Sequence, residues 1–63
     1  MWAEVRNSLG IALEKQGDLG GAIVEYRRII AKQPDFFKAR FNLGLALERL
    51  WLISRGLWPN TGS

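Results

Sequence analysis

The chain has no cysteine and no histidine, and its only prolines are Pro34 and Pro59. Without the first two residue types, thiol catalysis, thiolate zinc sites and histidine-based triads are excluded, and nothing marks a redox compartment. Long hydrophobic runs are missing too. The longest unbroken apolar stretch is Leu50-Trp51-Leu52-Ile53, and a spanning helix needs about 20 such residues. The N-terminal stretch MWAEVRNSLG has no basic segment ahead of an apolar one, so no signal peptide is expected and a cytoplasmic location is the expectation. Acidic residues are few: six Asp and Glu against nine Lys and Arg leave a net charge of +3. That excess permits a polyanionic partner without demanding one.

What remains is an ordinary globular composition, 48% hydrophobic and 24% charged over 63 residues, and it reads as one small domain or a piece of one. A domain of this size buries only about 60% of its unfolded surface, and scaffolds below about 70 to 80 residues usually rely on a disulfide, a metal or a partner. The first is impossible here and the usual soft metal ligands are absent, which directs attention to partners.

Apolar residues recur at helical steps in three segments. From Ala3 to Gln16 the stripe is Val5, Leu9, Ala12 and Leu13, and Gly17-Asp18 ends it. Glycine takes the left-handed conformation at a helix C-terminus, and Asp18 is placed to cap the next helix. From Leu19 to Gln33 one side carries Leu19, Ala22, Ile23, Tyr26, Ile29 and Ile30, and the other Glu25, Arg28 and Lys32. Pro34 stops that helix by biasing Gln33 out of the helical region. Asp35 is predicted to cap a third helix, apolar on more than one side, that Gly56 closes. Links this short make each helix antiparallel to the one before it.

Shifted by 34 residues, the chain matches itself. Arg6, Leu9, Gly10, Ala12, Leu13 and Glu14 recur as Arg40, Leu43, Gly44, Ala46, Leu47 and Glu48, six identities in the ten positions 6–15. A glycine inside a helix costs about 0.8 to 1 kcal/mol relative to alanine, so its recurrence points to a close approach of a neighbouring helix. Gly10, Ala12, Ala22, Gly44 and Ala46 are therefore read as packing residues.

A period of 34 residues with two helices per unit resembles the tetratricopeptide repeat family. The motif residues are Leu9-Gly10 in the first helix, Ala22 and Tyr26 in the second, the turn Gly17-Asp18, and Pro34. The resemblance covers about residues 3–50, one and a half repeats. Arg6 and Arg40 stand where the family often has Trp, Leu13 and Leu47 where Tyr is common, and Ile29 where a small residue is usual. The resemblance implies an all-α fold: an antiparallel helix hairpin plus a third helix, as a fragment of a right-handed superhelical solenoid. Residues 3–34 would form a complete repeat, 35–55 the extended first helix of a second, and 56–63 an irregular tail.

The function implied is protein–protein interaction, as a non-catalytic module or scaffold fragment with no cofactor or metal, in a concave groove formed by the first helix of each repeat. The matching positions are Glu4, Asn7, Ile11, Glu14 and Lys15, then Lys38, Phe41, Leu45, Glu48 and Arg49, and the candidate groove drawn from them is Asn7, Ile11, Lys38, Phe41 and Leu45. Here Phe41, Leu45 and Ile11 form an apolar strip, and Asn7 and Lys38 act as donors to a peptide backbone or carboxylate. The bland reading, that Phe41 and Leu45 pack inside a compact unit, carries equal weight. Catalysis finds no support in the residues. Glu14 and Asp18 lie four apart but Gly17 separates them, and Ser8 and Ser54 have no histidine to activate them. The alternative function is a small basic helical-repeat RNA-binding unit, like the related pentatricopeptide repeats, using Tyr26-Arg27-Arg28 and Lys32. With Tyr26 pointing to the core, an ordinary solvated face is the better reading of that cluster, and nucleic acid is not the expected partner.

After Leu50 the match fails: Trp51, Leu52, Gly56 and Pro59 fall where the first copy has Gly17, Asp18, Ala22 and Glu25. The third helix is left with an apolar side at Leu43, Leu47, Leu50 and Trp51 that a fourth helix would cover. Three outcomes are open: a tail folded back through Trp51, Leu57 or Trp58, self-association, or a piece of a longer array. The expectation is a homo-oligomer or partner-assisted folding, with exchange of the third helix one geometry for it.

Overall fold

In the computed structural model, which describes residues 1–57, three helices account for most of the described residues: α1 (Trp2–Lys15), α2 (Leu19–Lys32) and α3 (Phe37–Ser54). There is no strand among the described residues, and the fold is all-α. One alternative for the tail, a fold-back through Trp58, falls outside the described residues.

The helix ends follow from local chemistry. Gly17 takes φ 87°, so that its own N–H donates to the Glu14 carbonyl at 2.9 Å and the Asp18 N–H to the Leu13 carbonyl at 2.8 Å. This pair of bonds satisfies two of the carbonyls that α1 leaves free. Asp18 then caps α2, its carboxylate accepting from the Gly21 N–H at 2.9 Å. Gly56, at φ 74°, ends α3 in the same way, with the Leu57 N–H donating to the Leu52 carbonyl at 2.8 Å.

The entrance to α3 differs from the sequence expectation. Its N-cap is Phe36, with no side-chain cap, and Asp35 lies in the turn before it. The turn closes through a backbone bond, the Phe36 N–H donating to the Gln33 carbonyl at 3.0 Å. This puts the Asp35 carboxylate one residue too early to reach the helix's free N–H groups.

The core is Ala3, Ala22, Ile23, Tyr26, Ile29, Ala39 and Ala46, with Trp2, Leu13, Leu19, Ile30, Phe36 and Leu43 packed around it. Helix α2 is the centre of the unit, with α1 on one side and α3 on the other, and α1 and α3 touch only lightly. The face of α1 turned inward is Ala3, Asn7 and Gly10, so the predicted stripe is corrected. Val5 is 61% exposed, and Leu9 and Ala12 are also exposed. Small residues occupy the line where two helix axes approach most closely, which moves the buried face away from the larger side chains.

Gly10 behaves as the repeat implied. A Cβ there would lie 2.5 Å from Cε1 of the fully buried Tyr26 ring. Gly44 does not: a Cβ at Gly44 would meet nothing within 4 Å, because among the described residues no further helix lies on that side of α3.

Candidate functional site

Helices α1 and α3 run side by side in the same direction, offset by one repeat. The amide of Asn42 donates to the Asn7 side-chain oxygen at 2.9 Å, and the Arg49 guanidinium donates to Glu14. Both pairs are 35 residues apart. Between the two helices lies an open hollow of about 340 Å³, lined by Ile11, Glu14, Lys15, Tyr26, Asn42, Leu45 and Arg49. A smaller hollow of about 190 Å³ continues beyond Glu14 and Arg49 to Gly17, Leu19 and Ile53.

Glu14 is the hub of this region. One carboxylate oxygen accepts from the Tyr26 hydroxyl at 2.9 Å, and the other from Arg49. One side chain therefore ties α1 to α2 and to α3 together. Burial, and then the bond to Glu14, push the Tyr26 phenol well above its ordinary range, since ionising it would put a second negative charge beside the carboxylate.

The structure sorts the candidate groove residues. Ile11 and Leu45 lie in the larger hollow and form its apolar wall. Asn7 is 9% exposed and engaged by Asn42, so it helps join α1 to α3 beneath the groove. Lys38 is exposed and Phe41 is 67% exposed, and neither lines the hollow. Of the candidate self-association face, Leu43 is half-buried against the core, whereas Leu47, Leu50 and Trp51 are exposed.

Sequence reasoning placed Glu14, Lys15 and Arg49 among the concave positions without choosing them as groove residues, read the pair Glu14 and Asp18 as a solvated helix end, and missed Asn42. The signal available for Glu14 was its recurrence as Glu48, since a charged identity across the repeat is not explained by hydrophobic patterning. The basic cluster offers no stacking platform: Tyr26 is fully buried, and Lys32 lies over the Trp2 ring, 4.8 Å from its centroid. No group of three or more potential metal ligands occurs among the described residues, and no helix among them is long and apolar enough to cross a membrane.

A helix hairpin followed by a translated copy of its first helix defines a helical-repeat protein. The family model described as TPR repeat matches residues 10–50. The chain belongs to the tetratricopeptide repeat family, whose members generally mediate protein–protein interaction and are typically non-catalytic. No curated protein and no solved structure matches the chain.

Proposed function

We propose that this protein is an interaction module that seats an extended peptide segment of a partner protein in the groove between α1 and α3. The observation that supports it is the hollow of about 340 Å³ whose apolar wall is Ile11 and Leu45 and whose rim carries Lys15 and Arg49. An apolar side chain of the peptide fits against that wall. An acidic group beside it faces a rim whose cationic side chains outnumber the one carboxylate, Glu14, in a chain of net charge +3. Glu14, held by two partners, keeps the groove floor rigid, so little ordering is lost when a ligand enters.

The test is a peptide array varied in apolar and acidic positions, followed by fluorescence titration of the best peptide against the intact chain and Leu45→Glu. Leu45 is only half-buried, so the helices should persist by circular dichroism while affinity falls at least about tenfold. Equal binding by the variant would reject the groove. Affinity governed by ionic strength and indifferent to peptide sequence would point to phosphate binding instead.

A further inference from the structure

Three residues of α1 hold Glu25 and Tyr26 of α2. Arg6 donates to Glu25 at 2.9 Å, Gly10 lies under the Tyr26 ring, and Glu14 accepts from the Tyr26 hydroxyl at 2.9 Å. The equivalents of these three on α3 are Arg40, Gly44 and Glu48. All three are exposed, and next to Gly44 is a shallow hollow of about 280 Å³ lined by Ile30, Arg40, Leu43, Gly44 and Leu47. The molecule thus carries the receiving set twice, filled on α1 and open on α3.

Among the described residues nothing fills the second set. Thirty-four residues beyond Ala22, Glu25 and Tyr26 stand Gly56, Pro59 and Asn60, which supply neither the acid nor the ring. A second copy is also poorly placed to supply them. Its Glu25 and Tyr26 are buried against its own α1, and offering them would dismantle its hairpin.

We propose that the Arg40–Gly44–Glu48 face of α3 is a docking site for an amphipathic helix of a partner protein bearing the signature of α2. That signature is a glutamate followed directly by a tyrosine, with alanine three residues before the glutamate. The tyrosine ring lies on Gly44, where the missing Cβ leaves room for it, and its hydroxyl donates to Glu48. The glutamate pairs with Arg40, whose present bond to the Pro34 carbonyl, at 3.4 Å, is long and easily given up. This surface is separate from the groove.

The probe is a synthetic peptide with the sequence of residues 18–34, titrated into the intact chain by fluorescence anisotropy, with sedimentation equilibrium on the chain alone. The peptide is expected to bind one to one. Gly44→Ala in the chain should weaken it at least about tenfold while raising the chain's own thermal stability, and Tyr26→Ala in the peptide should weaken it similarly. Arg40→Glu should weaken binding, and Glu25→Arg in the peptide should restore part of the loss. No binding overturns the proposal. So does binding unaffected by Gly44→Ala, since the peptide would then be displacing α2 from α1. A chain dimer abolished by Gly44→Ala would give the face to a second copy and overturn it as well.

Discussion

Replacing Gly10 and Gly44 separately by alanine should move stability in opposite directions, although the two glycines hold the same place in the repeat. Both lie inside helices, so both substitutions gain about 0.8 to 1 kcal/mol of helix propensity. At Gly44 nothing lies within 4 Å of the added methyl, so the gain stands alone. For a domain of this size it corresponds to a rise in Tm of about 4–8 °C. At Gly10 the methyl would lie 2.5 Å from Cε1 and 2.8 Å from Cζ of Tyr26. That ring cannot swing aside: it is fully buried, and its hydroxyl is held by Glu14, itself bound by Arg49. Overpacking of this kind costs about 1–3 kcal/mol, leaving a net loss of up to about 2 kcal/mol. Urea denaturation followed by far-UV circular dichroism, at several protein concentrations, reads both variants. If Gly10→Ala is stabilised as much as Gly44→Ala, Tyr26 does not pack on Gly10, and the account of the repeated glycine fails with it.

Three further outcomes follow from the same geometry. Glu14→Ala strands a buried phenol and takes one partner from Arg49, and should cost about 2–3 kcal/mol in urea unfolding, more than Tyr26→Phe, which should cost about 1 kcal/mol. The Tyr26 phenol is raised in the folded state above its ordinary 10.0, so its contribution is complete below pH 10 and is lost as the pH climbs past that point. The loss is at most about 1.4 kcal/mol per pH unit, and Tm measured from pH 8 to 11 should fall less steeply in Tyr26→Phe. Asp18→Ala removes the cap of α2 and should lower stability by about 1 kcal/mol, with Asp18→Asn nearly neutral in the same assay.

The helix limits were legible because single residues set them: Gly17, Asp18, Pro34 and Gly56 act through φ, a cap or a missing N–H, whatever surrounds them. Tyr26 in the core was legible from the period of its neighbours. The buried face of α1 was not, because periodicity follows large apolar side chains, and this interface is built on Ala3, Asn7 and Gly10. Asp35 misled for a related reason. It has the chemistry of a cap, but the backbone bond from Phe36 to Gln33 sets where α3 begins. The polar ties Arg6–Glu25, Asn7–Asn42 and Glu14–Arg49 depend on which helices meet, and that is a property of the packed unit.

The burial of equivalent residues shows what decides their role. On α3, Ala39 and Ala46 are fully buried against α2, while their counterparts on α1, Val5 and Ala12, face solvent. On α1, Ala3 and Asn7 are buried, while their counterparts on α3, Phe37 and Phe41, are 73% and 67% exposed. Each first helix thus has two faces that packing can bury, and in this unit α1 has filled one and α3 the other. The exposed pair on α3 is also the bulkier, two phenyl rings in place of a methyl and an amide. Burying apolar surface there contributes about 25 cal/mol per Å². The exposed face of α3 therefore gains more from being covered than the equivalent face of α1 does. A helix that docks on Arg40, Gly44 and Glu48 would need small side chains opposite Phe37 and Phe41, and this requirement separates a suitable partner from any other amphipathic helix.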